Sequence, residues 1–147
     1  MKHLISASLL ILLAGCASQQ KSDNAIYMEA ATQFASTLPS DQKTMSFPNI
    51  KIPSHGMLAD NLAIAAGGGA NATHLQQELL TAKASGTTGF LIIGSSSALD
   101  LAVIEGAIDG QDLSGMSIFY SGSTDKKNEI RSVIEKSKAS FHYISPE

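Results

Sequence analysis

The sequence predicts a small α/β domain in which helices cover a mostly parallel sheet. Short apolar runs alternate with segments of helical periodicity, and the later runs each end in Gly, Ser or Thr. The runs begin about 28, 27 and 24 residues apart, which is the spacing that a strand–helix–strand unit needs. Continuous apolar strands are typical of a sheet that is buried on both faces. These observations together favour a layered α/β architecture.

Length and composition allow one domain and exclude several classes of function. The chain has 147 residues, 44% of them apolar, which suits a single globular domain. A net charge of −3 and the lack of a basic block argue against nucleic-acid binding. With one Cys, the chain has no internal disulfide and no four-ligand Cys/His zinc cluster. We therefore predict no metal site and no cofactor.

The first residues have the pattern of an export signal. A short positive start, Met1–His3, precedes an apolar run over residues 4–14. Eleven helical residues rise about 16 Å, whereas the hydrocarbon core of a bilayer is about 30 Å thick. The run is too short for a settled transmembrane helix and suits a signal peptide. An uncleaved anchor and an ordinary secretory signal are the alternatives.

The apolar run ends at Leu13-Ala14-Gly15-Cys16, which resembles the lipobox of bacterial lipoproteins. The resemblance implies cleavage between Gly15 and Cys16 and a diacylglycerol on the Cys16 thiol, usually with a further acyl chain on the new amino group. Several acyl chains would anchor the protein to a membrane permanently. The residue after Cys16 is Ala17. An Asp at this position of a Gram-negative lipoprotein would resemble an inner-membrane retention signal, so Ala17 favours the outer membrane. In a Gram-positive cell the domain would lie on the outer face of the cell membrane.

The remaining chain divides into a tether and one domain. Residues 16–24 are polar and form the expected lipidated tether, and residues 25–147 form the expected domain. The domain opens with a helix over Ile26–Leu38, capped by Asp23 or Asn24. Residues 44–53 then form an edge strand or extended loop, because prolines bracket them.

The first predicted strand–helix unit starts at Leu62. The run Leu62–Ala66 is predicted as a strand, and it ends at three consecutive glycines. A helix follows, capped by Asn71 or Thr73, with four apolar residues recurring on one face: Ala72, Leu75, Leu79 and Ala82.

Two further units complete the predicted fold. Phe90–Ile93 is a strand followed by a helix over Ala98–Ile108, which is apolar on most sides and should be the most buried one. Ser117–Tyr120 is the next strand, and its helix turns Ile130, Val133, Ile134 and Ser137 inward. Phe141–Ile144 closes the chain as the last strand. The predicted class is therefore a Rossmann-like or flavodoxin-like three-layer sandwich with an N-terminal helical extension.

The loops after the strands are the candidate ligand site. Right-handed crossovers would place all three loops at the carboxyl edge of the sheet. Helix N-termini there offer free amides that can hold an anion, although Gly and Ser are also ordinary turn and capping residues. The candidate residues are Gly67, Gly68, Gly69, Ser95, Ser96, Ser97, Ser123 and Thr124.

The catalytic and cofactor motifs in the chain are weak. Residues 67–72 match G-x-G-x-x-A, but Gly89–Ser97 lacks the acidic residue of a dinucleotide site. There is no G-x-S-x-G elbow. S-x-x-K occurs three times, and only Ser123/Lys126 lies at a strand-to-helix turn, where Thr124 or Asp125 would serve as a cap.

The histidines and aspartates suggest no site either. His55, His74 and His142 lack metal-ligand spacing and are expected at the surface or partly packed. Four aspartates flank helices and turns, where capping and solvation would explain them: Asp60, Asp100, Asp109 and Asp112. No catalytic constellation is visible, which favours a non-enzymatic role.

Three functional hypotheses remain open. The favoured one is a periplasmic binding or assembly lipoprotein, held at the outer membrane by its acyl chains and engaging another envelope protein. The second is a small-ligand-binding or hydrolytic lipoprotein that uses the Gly/Ser/Thr loops. The third is a surface or exclusion lipoprotein without a specific ligand.

Overall fold

The computed structural model describes residues 18–42 and 45–147, so the predicted signal peptide and the lipidation site at Cys16 lie outside the described residues. The elements in chain order are α1 (Asp23–Thr37), β1 (Asn49–Lys51), α2 (Met57–Ala65), α3 (Gly69–Ala84), β2 (Gly89–Ile93), α4 (Ser97–Ile108), β3 (Ser117–Ser121), a short 3-10 turn (Thr124–Lys126), α5 (Lys127–Lys136) and β4 (Ser140–Ile144).

The four strands form one parallel sheet in the order β1-β2-β3-β4. The register pairs Asn49 with Leu91 and Gly89 with Ser117, and Ser117 also pairs with Ser140. This confirms the predicted α/β class and the parallel sheet. Because the strand order follows the chain order, right-handed crossovers place the helices that connect the strands on one face of the sheet.

The sheet is buried on both faces, and successive residues of each strand pack alternately against the helices on one face and on the other. In β2, Phe90 and Ile92 pack against the crossover helices, whereas Leu91 and Ile93 face α1. Helix α1 buries four residues on this second face: Ile26, Ala30, Ala31 and Phe34. Gly89 leaves space for the ring of Phe34, which would lie 2.6 Å from a Cβ at that position. The N-terminal helix is therefore the third layer of the sandwich.

The first described residues are held against the last ones. The Lys21 amide donates to the Pro146 carbonyl at 2.7 Å, and Lys21 Nζ donates to the Ser145 carbonyl at 3.0 Å. Helix α1 begins directly afterwards, and its cap is Ser22, whose Oγ accepts from the Ala25 amide at 3.2 Å. The expected caps Asp23 and Asn24 fall inside the helix instead.

The strand predicted over Leu62–Ala66 is wrong, because Leu62–Ala65 belong to helix α2 and Ala66 caps its end. The run contains Ala and Leu, which are strong helix formers, and only one β-branched residue. The carboxylate of Asp60 also fixes the loop before the helix, since it accepts from Ser54 Oγ at 2.5 Å and from the His55 amide at 2.9 Å. The first predicted unit is thus a pair of helices.

The other predicted elements are confirmed with small changes at their ends. Helix α3 buries its predicted face of Ala72, Leu75, Leu79 and Ala82, but it begins at Gly69 with Gly68 as its cap rather than Asn71 or Thr73. Helix α4 buries more residues than any other described helix. Among residues 18–42 and 45–147, no helix is long and apolar enough to span a bilayer.

Candidate functional site

A polar groove of about 470 Å³ lies at the carboxyl edge of the sheet. Its walls come from the ends of four strands, with Lys51, Ile93 and Ser121 on the first three, and from the start of α1 and the last residues of the sequence. Ser95, Ser123, Thr124 and Tyr143 also line it. Two of the three predicted loops therefore meet here.

Ser121 is a buried polar residue in the lining of this groove. It ends β3 with its side chain on the α1 side of the sheet, and only 1% of the residue is exposed. Its Oγ has no hydrogen-bond partner, and among the described residues no other buried side-chain nitrogen or oxygen shares that state. Burying an unpaired hydroxyl costs about 1–3 kcal/mol, so such groups are rare in folded proteins.

The walls of the groove are held by hydrogen bonds and one ion pair. Lys51 Nζ contacts Asp23 Oδ2 at 2.7 Å, with both side chains about half exposed. Tyr143 Oη donates to the Gly122 carbonyl at 2.7 Å, and Ser95 Oγ donates to the Ile52 carbonyl. These contacts join β1 to α1 and to the loop after β2, and join β4 to the loop after β3.

A buried carboxylate lies directly beneath this edge. Asp100, in the first turn of α4, is fully buried and accepts from Tyr120 Oη at 2.7 Å. Its other oxygen accepts from the amides of Ser95 at 2.8 Å and Ser96 at 3.4 Å. Burial raises the pKa of Asp100, and burial together with the adjacent carboxylate raises the pKa of Tyr120. The pair ties α4 to β3.

Asp100 corrects two expectations. Capping and solvation were the expected explanation for Asp100. It does accept from the amides before α4, but it is not solvated: it is fully buried, because it lies in the helix that is apolar on most sides. It also occupies the loop amides of Ser95 and Ser96 that an external anion would use. Ser96 is exposed and Ser97 begins α4, and neither lines the groove. The predicted anion site at this loop is therefore filled by the protein's own carboxylate.

The triple glycine is not part of the groove, because it turns the chain between α2 and α3. Gly67, Gly68 and Gly69 all have positive φ. A Cβ on Gly68 would lie 2.7 Å from Val103 Cα and 2.9 Å from the Ala102 carbonyl oxygen. Gly68 therefore lets the turn between α2 and α3 approach α4 closely. The expectation that they join the other loops is wrong, since no strand precedes them.

Ser123 and Lys126 do not form a nucleophile–base pair. Ser123 Oγ accepts from the Asp125 amide at 3.3 Å, so Ser123 caps the turn in place of the expected Thr124 or Asp125. Lys126 Nζ contacts Glu129 at 2.9 Å. The segment serves as a helix start, which is the simpler of the two interpretations that the S-x-x-K motif allowed.

The histidines lie apart. His55 is in the exposed loop before α2, and His74 lies 3.5 Å from Glu78 on the surface of α3. His142 stacks on Phe119 with ring centroids 4.6 Å apart, and burial lowers its pKa. Within the part of the chain that the structure describes, no three His, Cys, Asp or Glu side chains are grouped as metal ligands.

A second candidate surface is the outer face of α2, which we call the α2 face. It is formed by Met57, Leu58 and Leu62, which are 82%, 77% and 65% exposed. Helix α2 has no buried residue, and only the partly buried Ala63 and Ile64 pack against the core. Clustered exposed apolar side chains of this size are typical of interaction surfaces.

Comparison of the chain with protein-family models, with curated proteins and with solved structures returned no match.

Proposed function

We propose that the protein is a bacterial lipoprotein, anchored at the outer membrane through Cys16, whose α/β domain binds another envelope protein through the α2 face. The lipobox-like sequence supports the anchor. The observation that carries the binding role is the exposure of Met57, Leu58 and Leu62 on a helix with no buried residue. Exposed apolar side chains of this kind lower the solubility of a protein, and contact with a partner would cover them.

The charge of α2 favours a protein partner over the lipid surface. Helices that lie on membranes carry Lys and Arg on their polar face, which attract anionic lipids. Helix α2 contains no Lys or Arg, and Asp60 in its first turn is acidic. The remaining 132 residues after signal cleavage lose Lys2, so the net charge of −3 becomes −4. An acidic domain with an acidic helix gains nothing from an anionic membrane.

The α2 face can supply part of the free energy of a weak interface. Full burial of a Leu or Met side chain contributes about 1.5–3 kcal/mol. Three such side chains offset part of the entropy lost on association, and the rest must come from surrounding contacts. Anchoring to a membrane surface raises the local concentration of the domain, so that a weak interface is occupied.

The anchor is tested with Cys16→Ser in the full chain. We expect this variant to lose metabolic labelling by palmitate completely and to keep its signal peptide, because the thiol accepts the diacylglycerol before cleavage. Labelling and the mass of the purified protein measure both effects. Ser18→Ala, two residues further on, is the matched control and should be labelled and processed normally. Unchanged labelling of Cys16→Ser would refute the anchor.

The α2 face is tested by photo-crosslinking at native expression. A photoreactive residue at Leu58 should form one discrete protein adduct, and Leu62→Glu should reduce its yield at least about tenfold, because a buried charge at this face costs more than 1.4 kcal/mol. The same residue at Met28, which is 55% exposed on α1, is the matched control and should form no such adduct. Adducts to lipid alone, or equal yields at both positions, would contradict a protein partner.

A further inference from the structure

The groove at the carboxyl edge carries an inference that is independent of the anchor and of the α2 face. Ser121 lines a groove that is open to solvent, and its buried hydroxyl has no hydrogen-bond partner among the residues that the structure describes. A chain that only needed to fill this position could use Ala, which has no group to satisfy. An unsatisfied hydroxyl beside an opening is explained when a bound molecule supplies the partner.

We propose that this groove binds a small, uncharged, hydroxyl-rich ligand such as a neutral sugar, with Ser121 Oγ as its innermost polar contact. The volume of about 470 Å³ falls within the range of small-molecule sites, about 300–1,000 Å³. The carboxyl edge of a parallel sheet is also where such sites form in α/β proteins.

The charges around the groove select against an ionic ligand. Lys51 is paired with Asp23 at 2.7 Å, so its charge is already matched. Glu147 adds a negative charge at the rim. The amides of Ser95 and Ser96 point to the Asp100 carboxylate, as described above. Among the described lining residues, an anion would find no unpaired Lys or Arg, and the Ser95 and Ser96 amides are already used. A cation at Asp23 would have to displace Lys51.

The lining suits hydroxyl groups on the ligand. Hydroxyl side chains line much of the groove, among them Ser121, Ser123, Thr124 and Ser145. A hydroxyl both donates and accepts, so it pairs with a ligand hydroxyl in either direction. Ile26 and Ile93 supply an apolar floor, which suits the C–H faces of a sugar ring. The groove therefore matches a molecule with many hydroxyls and little charge.

The test compares the full chain, purified from membranes, with its Ser121→Ala variant. The probes are glucose, N-acetylglucosamine and, as an anionic comparison, inorganic phosphate. Saturating amounts of at least one of the two sugars should raise the Tm of the wild-type protein by about 2 °C or more and shift the amide NMR signals of Gly94 and Gly122. Phosphate should do neither.

Ser121→Ala separates a ligand site from a structural role. Without any probe, we expect the Tm of this variant to rise by about 2–8 °C, because the unpaired hydroxyl is gone. With the sugar, neither the Tm nor the amide signals should change further. Ser132→Ala, at an exposed position of α5, is the control and should behave as wild type.

A second variant, Thr124→Ala, changes the exposed rim of the groove and should weaken sugar binding without raising the Tm. The proposal is overturned if Ser121→Ala lowers the Tm, if it leaves the sugar response unchanged, or if neither sugar affects the wild-type protein. A response to phosphate equal to that of the sugars would overturn the choice of an uncharged ligand. None of these outcomes depends on whether Cys16 is acylated.

Discussion

Replacing Asp100 with alanine is expected to lower the free energy of unfolding by about 3 kcal/mol or more. The change removes the oxygen that accepts from Tyr120 Oη, and it also leaves the amides of Ser95 and Ser96 without their carboxylate partner. The unpaired hydroxyl of the buried Tyr120 costs about 1–3 kcal/mol. The amides of the exposed Ser95 and Ser96 each lose a bond to a charged acceptor, and removal of a desolvated carboxylate offsets part of the sum. Urea unfolding followed by circular dichroism measures the loss.

Asp100→Asn is the matched control for this prediction. Its amide oxygen can still accept from the loop amides, and its amide nitrogen can donate to Tyr120 Oη, so the loss should be closer to 1 kcal/mol. Equal losses for Asp100→Ala and Asp100→Asn would show that packing, and not the hydrogen bonds, determines the stability of this edge.

The same pair of proteins gives a pH signature. Burial raises the pKa of Asp100 above its ordinary value of 3.8, so the folded protein holds this proton more tightly than the unfolded chain does. The unfolding free energy of the wild type, relative to Asp100→Asn, should therefore fall as the pH rises from about 4 through the folded pKa, and then level off. The lowered pKa of His142 is common to both proteins and cancels in the difference. A difference that is independent of pH would contradict the buried carboxylate.

The second large effect is expected for Gly68→Ala, which should cost about 3 kcal/mol or more. Gly68 has a φ of +91°, where an L side chain adds about 1–2 kcal/mol of strain. A Cβ there would also lie 2.7 Å from Val103 Cα, a backbone atom that can move only with α4. Overpacking of this kind typically costs a further 1–3 kcal/mol. The loss would appear in the urea midpoint of unfolding.

Gly69→Ala provides the control in the same turn. Gly69 has a φ of +57°, and no heavy atom lies within 4 Å of a Cβ built on it. Its replacement should therefore cost only the backbone strain, about 1 kcal/mol. If the two variants were equally stable, the close approach of the turn to α4 would have no energetic weight.

Most of the fold follows from local sequence patterns. The runs at Phe90–Ile93 and Ser117–Tyr120 combine β-branched and aromatic residues, which fit a sheet buried on both faces. The helices after them were predictable from their apolar periodicity. These features depend on residues that are close together in the sequence, so a single sequence is enough to predict them.

The exception at Leu62–Ala66 has a physical cause. A short apolar run can form either a strand or a helix, and its amino-acid composition helps to decide between the two. This run is rich in Ala and lacks aromatic residues, unlike the strands at Phe90–Ile93 and Ser117–Tyr120. The expected position of Gly67–Gly69 was therefore also wrong, because only a loop that follows a strand reaches the carboxyl edge of the sheet.

The candidate site was predicted less completely than the fold. The loops at Ser95 and Ser123 were expected at the sheet edge and do line the groove. Ser121 was not singled out, because the lack of a partner for one hydroxyl depends on every atom around it. The burial of Asp100 could have been predicted from the sequence, because a carboxylate inside a helix that is apolar on most sides has few exposed positions available. Its partner Tyr120, twenty residues away, is a consequence of tertiary packing.

The bonds between Lys21 and the segment Ser145–Pro146 place the two ends of the folded domain side by side. For protein engineering this means that a linker of a few residues could join them, so the domain is suited to circular permutation. It also means that an affinity tag or fluorescent protein fused after Glu147 would sit next to the groove and to the segment that leads to Cys16. A reporter inserted at the exposed turn around Gly110 would leave both free.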